Sequence, residues 1–124
     1  MDQQESMTDD RPAIARAVAK ALQLVGDGHP TVWYDTGLDR NGYRIMLHKD
    51  GSDLFREYWI WRCIEWLLKQ GWSIWISSRS DRHEYSNDDL IEQGGGNGIR
   101  YIECPATEFP ARAVAALMKG AEDE

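Results

Sequence analysis

The sequence predicts a single-domain α/β protein, a three-layer α-β-α sandwich in which a small mixed sheet of three or four strands lies between about three helices. A chain of 124 residues has room for one hydrophobic core. Segments with apolar residues at helical spacing alternate along it with short strand-like segments. Five of the six tryptophans fall within residues 54–78, in a predicted helix followed by a predicted strand, and mark the centre of the core.

Composition describes an ordinary globular protein with an acidic surface. Hydrophobic residues make up 42% of the chain and charged residues 28%, and the formal net charge is −7. An acidic protein is poorly suited to bind the phosphates of DNA or RNA, so we expect no direct nucleic-acid binding. The apolar runs are shorter than the ~20 residues of a membrane span, and the first residues lack a signal-peptide pattern. We therefore expect a cytoplasmic protein that makes no contact with a membrane.

The two ends of the chain differ in composition from its middle. Residues 1–9 are polar and acidic without periodicity, which predicts a disordered lead-in, and residues 121–124 are expected to fray. The sequence between them shows no internal repeat. We therefore expect one folded domain over residues 10–120.

The first helix is predicted to begin at Asp10 and to end at Gly26 or Gly28. Asp10 is a candidate cap for the free N–H groups, and Pro12 lies in the first turn, where no backbone donor is needed. The apolar residues at helical spacing are Ile14, Ala17, Val18, Ala21, Leu22 and Val25.

Two segments after this helix have strand composition. Residues 31–34 form a short β-prone run, for which an edge strand and an ordered loop are both open. Residues 43–48 alternate in polarity and predict a strand with one strongly apolar face.

The tryptophan-rich helix is predicted to run from the turn at 50–53 to Gln70, with Gly71 in the left-handed position that ends it. Because a helix of about 18 residues is long enough for a crossover, the strands at 43–48 and 72–77 are allowed to run parallel in one sheet. The predicted buried stripe consists of Leu54, Tyr58, Trp61, Ile64 and Leu68, widened by Ile60 and Leu67.

The C-terminal half is predicted to contain two strands, a loop and a helix. Residues 72–77 carry bulky side chains on both faces, which is typical of a central strand covered on both sides. Residues 79–98 are mostly polar and are expected to form a long mobile loop. Residues 99–104 are expected to form a strand antiparallel to 72–77, and a last helix follows Thr107. Its apolar face consists of Phe109, Ala113, Val114, Leu117 and Met118.

Three features of the sequence occur together in a known group of proteins. They are an Ala-rich opening helix, the helix-to-strand segment Trp-Leu-Leu-Lys-Gln-Gly-Trp-Ser-Ile-Trp-Ile at 66–76, and the closing Pro-Ala-Arg-Ala-Val-Ala-Ala-Leu-Met-Lys-Gly at 110–120. In these features the chain resembles the small phage and prophage proteins of the "phage ABA sandwich" type, over most of residues 10–120. The resemblance implies an α-β-α sandwich, a phage or prophage origin and a place in the host cytoplasm. The resemblance supplies no catalytic residues to carry over to this chain.

The sequence contains no pattern typical of an enzyme, metal or cofactor site. The three histidines lie in separate segments without ligand spacing. The glycines at 94–98 precede a predicted strand, whereas a phosphate-binding loop requires a helix there. We therefore expect no cofactor, no metal and no catalysis. The alternative is a small-ligand binder or a hydrolase-like enzyme that uses the 79–98 loop, with Ser77 or Ser78 beside Asp81 and His83.

Binding of another protein is the predicted function, as a phage or prophage accessory protein with a host or phage partner. Trp33, Trp59 and Trp75 are the tryptophans whose burial the pattern guarantees least, and together they would form an apolar interface patch. Loops also carry function out of proportion to their length. The candidate loop residues are His83, Glu84, Tyr85, Asp88 and Asp89.

Two other interpretations of the same surface are open. A homo-oligomer would join its copies through the aromatic patch. An acidic inhibitor of a host nucleic-acid-binding defence protein would present carboxylates where phosphates bind.

Overall fold

The structure, a computed structural model, describes residues 10–24, 32–38, 41–77, 79–87 and 98–123. Within these ranges the chain forms three helices and five strands, which confirms the α/β class. In chain order the elements are α1 (Arg11–Ala21), β1 (Trp33–Leu38), β2 (Arg44–His48), α2 (Glu57–Lys69), β3 (Ser73–Trp75), β4 (Arg82–Ser86), β5 (Ile99–Glu103) and α3 (Phe109–Asp123).

The strands in the described ranges pair antiparallel and form two sheets, a difference from the single mixed sheet expected. β1 pairs with β2, and β4 lies between β3 and β5. The difference arises at α2, which leads from the two-stranded sheet to the three-stranded sheet instead of returning the chain to the sheet it left. Parallel pairing of β2 with β3 is therefore not formed.

The segment expected to be a long loop contains a strand. Within 79–98, Arg82–Ser86 forms β4 and pairs with both β3 and β5. The loop prediction is corrected here because the two inward side chains of β4 are His83 and Tyr85, whose polar atoms hide the apolar alternation that indicates a strand. As a result, β3 pairs with β4 and not directly with β5.

The helices pack on one another and on the inner faces of the sheets. α3 packs against both α1 and α2, α1 approaches β2, and α2 and α3 approach β3 and β5 respectively. The buried side chains form one cluster that includes Val18, Leu47, Leu67 and Tyr85. Each large apolar side chain that is fully buried stabilises the fold by about 1.5–3 kcal/mol. This shared core holds the two sheets and three helices together.

The buried face of α2 differs from the predicted stripe. Trp59, Cys63 and Leu67 are buried, whereas Trp61 and Leu68 of the predicted stripe are 64% and 55% exposed. The prediction is wrong here because large apolar residues occur on both the buried and the exposed side of this helix, so their spacing alone does not select the face that meets the core.

The ends of α1 and α2 show one predicted feature and one correction. Gly71 has the left-handed backbone predicted for the residue that ends α2, with a φ of 87°. Asp10 precedes α1 but makes no side-chain cap hydrogen bond. Its carboxylate accepts a hydrogen bond of 2.7 Å from Nη1 of Arg112 in α3, and Arg112 Nε also donates to Glu108. The ion pair therefore connects the start of α1 to α3.

Gly51 allows the turn before α2 to contact α1, and its replacement tests that contact. Its φ is 77°, and a Cβ at this position would lie 2.7 Å from the backbone oxygen of Arg11. We expect Gly51→Ala to lower the free energy of unfolding by about 2–4 kcal/mol, from backbone strain and the clash together. Denaturant unfolding measures the change. Gly42→Ala is the control, because Gly42 has a φ of 83° and nothing within 4 Å; an equal loss in both variants would contradict the role of the Arg11 contact.

The Asp10–Arg112 pair makes stability depend on pH in the acid range. The hydrogen bond from Arg112 holds the pKa of Asp10 below its ordinary value of 3.8. The stabilisation is therefore complete above that value and is lost as the pH falls through the lower folded-state pKa. We expect Asp10→Asn to be less stable than the parent at neutral pH and to lose less stability on acidification. Glu65→Gln, at an exposed position in the middle of α2, is the control, and a matching effect there would refute the assignment.

Candidate functional site

The outer face of the three-stranded sheet presents two exposed aromatic side chains. The strand register places Trp75 opposite Glu84 and Glu84 opposite Tyr101. Since directly opposed residues share a face of the sheet, the three side chains form one row across β3, β4 and β5. Trp75 is 70% exposed and Tyr101 is 52% exposed. We call the row with its neighbours Arg82 and Ile99 the outer sheet face.

A shallow hollow of about 400 Å³ lies along this row, lined by Trp75, Ser80, Arg82, Glu84 and Tyr101. The two aromatic residues are two strands apart, which corresponds to about 10 Å between their backbones. The side chain of Arg82 lies in the same hollow, with its guanidinium over the Tyr101 ring. The hollow is therefore lined by two aromatic side chains, one carboxylate and one guanidinium.

These side chains favour a positively charged group. A cation is attracted to the face of an aromatic ring and to a carboxylate, and the two attractions act together here. The attraction of a cation to an aromatic face already occurs within the protein, because the Arg82 guanidinium lies 4.2 Å from the centre of the Tyr101 ring. The outer sheet face is thus suited to a lysine or arginine side chain.

His83, a predicted contact residue, lies in the interior beneath this face. Its Nδ1 accepts a hydrogen bond from the Ser77 backbone N–H at 3.2 Å, and its Nε2 is 3.0 Å from the carbonyl oxygen of Cys104. Because a backbone N–H only donates, the proton of the neutral ring is on Nε2, which donates to Cys104. Both ring nitrogens are used in holding strands together. The arrangement gives no support to the predicted hydrolase trio, in which His83 would act as a base.

Two other predicted contact residues are also in the core. Tyr85 packs against Trp72 and Phe109, with ring centres 5.2 Å and 6.0 Å apart. Trp59 is buried in α2. A buried side chain offers no surface to a partner, so these residues support the folded protein and are corrected as contact candidates.

The remaining candidates are divided between separate parts of the molecule. Trp33 lies on the two-stranded sheet, where its ring meets the His48 ring edge to face at 4.7 Å. Trp75 and Glu84 lie on the outer sheet face, while Asp88 and Asp89 are outside the described residues. The three tryptophans of the predicted patch therefore do not form one surface, because Trp59 is interior.

The sequence prediction missed Tyr101, Arg82 and Ile99. Tyr101 and Ile99 alternate with Arg100 and Ile102, so neither side of β5 is clearly the polar one. The register with β4 shows which side of β5 belongs to the outer sheet face, but the sequence predicted a loop in place of β4. Recognition of the alternation of His83 and Tyr85 with Arg82 and Glu84 is the signal that would have revealed this face.

Within the described ranges, the acidic side chains do not gather on one element. Described acidic residues occur in or beside both sheets and all three helices: Asp10, Asp35, Glu57, Glu84, Glu103 and Glu108. Some are already paired with cations, as Asp35 is with Arg44 at 3.5 Å. The described carboxylates thus give no support to the acidic-inhibitor interpretation, which requires carboxylates concentrated on one face.

The two cysteines are free thiols in the interior. Burial raises the pKa of Cys63 to about 12 and raises that of Cys104 as well. Both are therefore poor nucleophiles at neutral pH. Among the described residues, no group of three or more histidine, cysteine, aspartate and glutamate side chains is placed to hold a metal ion.

Comparison with known proteins gives no further guide to the site. No family model, no curated protein and no solved structure matches the chain. In the part of the chain that the structure describes, no helix has the length and apolar character needed to span a membrane.

Because His83 is buried beneath the outer sheet face, its replacement tests whether it stabilises the sheet that carries that face. We expect His83→Ala to lower the free energy of unfolding by about 2–4 kcal/mol, because it leaves the Ser77 N–H and the Cys104 carbonyl without this partner and opens a cavity beside Phe109. Thermal and denaturant unfolding measure the loss. His48→Ala, at a half-buried surface position, is the matched control and should cost clearly less. Equal losses would argue against the structural role of His83.

Proposed function

We propose that this protein acts without catalysis, by binding a basic segment of another protein on the outer sheet face. The observation that carries the proposal is the exposure of Trp75 beside a carboxylate and a second aromatic ring. A lysine or arginine of the partner lies between Trp75 and Tyr101 and pairs with Glu84.

The composition of this face supports an interface. Tryptophan, tyrosine and arginine are the residues most enriched among those that dominate binding energy, and Trp75, Tyr101 and Arg82 lie together here. Large aromatic side chains on a rigid sheet also lose little conformational freedom when they bind. A partner that covers Trp75 and Tyr101 removes much apolar surface from water, at about 25 cal/mol for each Å².

Charge supports a basic partner. The formal net charge of −7 attracts cationic segments over a distance. At short range Glu84 lies half-buried at the centre of the row, where a charge-assisted hydrogen bond is stronger than at a fully exposed site.

We include the biological setting in the proposal. The resemblance described above supports a phage or prophage accessory protein whose partner is a host or phage protein. Two buried free thiols support a reducing compartment such as the cytoplasm.

Selection from a random peptide library on the immobilised protein tests the proposal. We expect the enriched peptides to share a lysine or arginine, and their synthetic versions to bind about 30-fold more weakly to Trp75→Ala, as for an interface residue that contributes about 2 kcal/mol. Glu84→Gln should weaken binding about tenfold, because it removes the charge that pairs with the peptide. Calorimetric titration measures these affinities.

Trp33→Ala is the matched control, since it removes a partly exposed tryptophan from the other sheet. It should leave the affinity for the selected peptides unchanged. Enrichment of acidic or purely apolar peptides, or equal binding to Trp75→Ala and the parent, would refute the proposal.

A further inference from the structure

An open groove of about 980 Å³ lies between α1 and α3. Its lining runs from Asp10, just before α1, to Lys20 in the last turn of that helix, and from Ala115 to Lys119 in α3. On each helix the lining positions recur at intervals of three and four residues, so they lie on one side of the helix. The groove therefore follows the whole length of α1, about 16 Å at 1.5 Å for each residue.

The floor of this groove is apolar. Ile14 belongs to the buried core, whereas Ala13 is exposed and Ala17 is half-buried. Ala115 and Met118 complete the apolar lining from the side of α3. A segment that covers these residues removes apolar surface from water, which favours binding.

The charged lining residues of the groove are mainly basic. Arg16 and Lys20 on α1 and Lys119 on α3 are all exposed. Among the described lining residues the acidic one is Asp10, and its carboxylate is paired with Arg112 at 2.7 Å. The groove is thus locally basic, although the whole chain has a formal net charge of −7.

Arg16 and Lys20 also interact with other groups of the chain. Such contacts are compatible with binding, because an arginine side chain has five N–H donors and a lysine side chain has three. A carboxylate from outside can therefore be added to the contacts that these side chains already make. The combined positive charge of the groove, and not an unpaired cation, attracts a partner.

We propose that this groove binds an acidic amphipathic helix of another protein. The apolar side of that helix packs on Ala13, Ala17 and Met118. Its carboxylates pair with Arg16 and Lys20 on α1 and with Lys119 on α3. Amphipathic helices commonly bind in this way, with an apolar face in a groove, and a third helix fits beside two others at an axial distance of about 8–10 Å.

Charge distinguishes this partner from other candidates. A basic segment would be repelled at short range by the three cations of the groove. Nucleic acid carries negative charge along its whole length, so beyond the groove it would meet the acidic remainder of the protein. A helix with a few carboxylates confines its negative charge to the groove itself. The acidic helix is therefore the occupant that both the groove and the surrounding surface favour.

Selection from a library of helical peptides, randomised along one face, on the immobilised full chain tests the proposal. We expect the enriched peptides to combine apolar with acidic residues. They should bind about tenfold more weakly to Lys20→Glu and about 100-fold more weakly to the variant that also carries Arg16→Glu, because repulsion replaces attraction. Ala13→Trp should weaken binding as well, since it fills an exposed part of the floor without a change of charge. Calorimetric titration measures these affinities.

Lys69→Glu is the matched control. Lys69, like Lys20, is an exposed lysine in the last turn of its helix. The two replacements therefore alter the net charge and the interaction with the helix end in the same way. Lys69→Glu should leave the affinity for the acidic peptides unchanged. Enrichment of basic or purely apolar peptides, or an equal loss of affinity in Lys69→Glu, would overturn the proposal.

Two other occupants of the groove are distinguished by further measurements. A parent dimer in light scattering that Lys20→Glu dissociates and Lys69→Glu does not would assign the groove to a second copy. Replacement of Asp2, Glu5 and Asp9 by their amides in the full chain would raise the peptide affinity if these residues compete for the groove. Either result would overturn the assignment to another protein, whereas a monomeric parent and an unchanged affinity would support it.

The groove and the outer sheet face share no lining residue, so the two proposals are tested separately. Loss of acidic-peptide binding in Lys20→Glu, with basic peptides still bound, would leave the proposed function in place. Failure of the basic-peptide selection, with acidic helical peptides bound as expected, would leave the groove in place.

Discussion

The three-stranded sheet depends on the two hydrogen bonds that the buried ring of His83 makes to the backbone. The ring accepts from the backbone just after β3 and donates to the backbone just after β5, while its face packs against Phe109 of α3. β4 is thereby fixed with His83 and Tyr85 on the inner side. Since side chains alternate along a strand, Arg82 and Glu84 must then point outward. The chemistry of the exposed face is therefore a consequence of what the core requires of β4.

Sequence reasoning succeeded where periodicity and end signals agreed. The three helices, the strand after Asn41 and the left-handed Gly71 follow from apolar spacing and turn residues. It failed at β4, because histidine and tyrosine in core positions resemble loop residues in a polar segment. The predicted buried face of α2 was also wrong. Because tryptophans lie on several sides of this helix, apolar spacing is compatible with more than one buried face. In both cases the deciding information is a tertiary contact, which one sequence does not contain.

The formal net charge of −7 is unevenly distributed over the described residues. Several carboxylates are engaged with cations of the same chain, as Asp10 and Glu108 are with Arg112. On α2 acidic and basic residues balance. On the sheet Glu84 lies between two aromatic rings and acts at short range. In the proposed function, net charge therefore acts on the approach of a partner, whereas the local arrangement decides which side chain binds.

The guanidinium of Arg82 lies 4.2 Å from the centre of the Tyr101 ring and so occupies part of the hollow. In the proposed complex, an incoming cation would either replace this guanidinium on the Tyr101 ring or lie on the Trp75 side, and replacing one cation–π contact by another would change the free energy little. We therefore expect free arginine or dilute salt to compete only weakly with a bound protein segment. In the proposed complex, a segment that also shields Trp75 from water would gain more than one that only replaces the Arg82 guanidinium, so Arg82 would favour such segments.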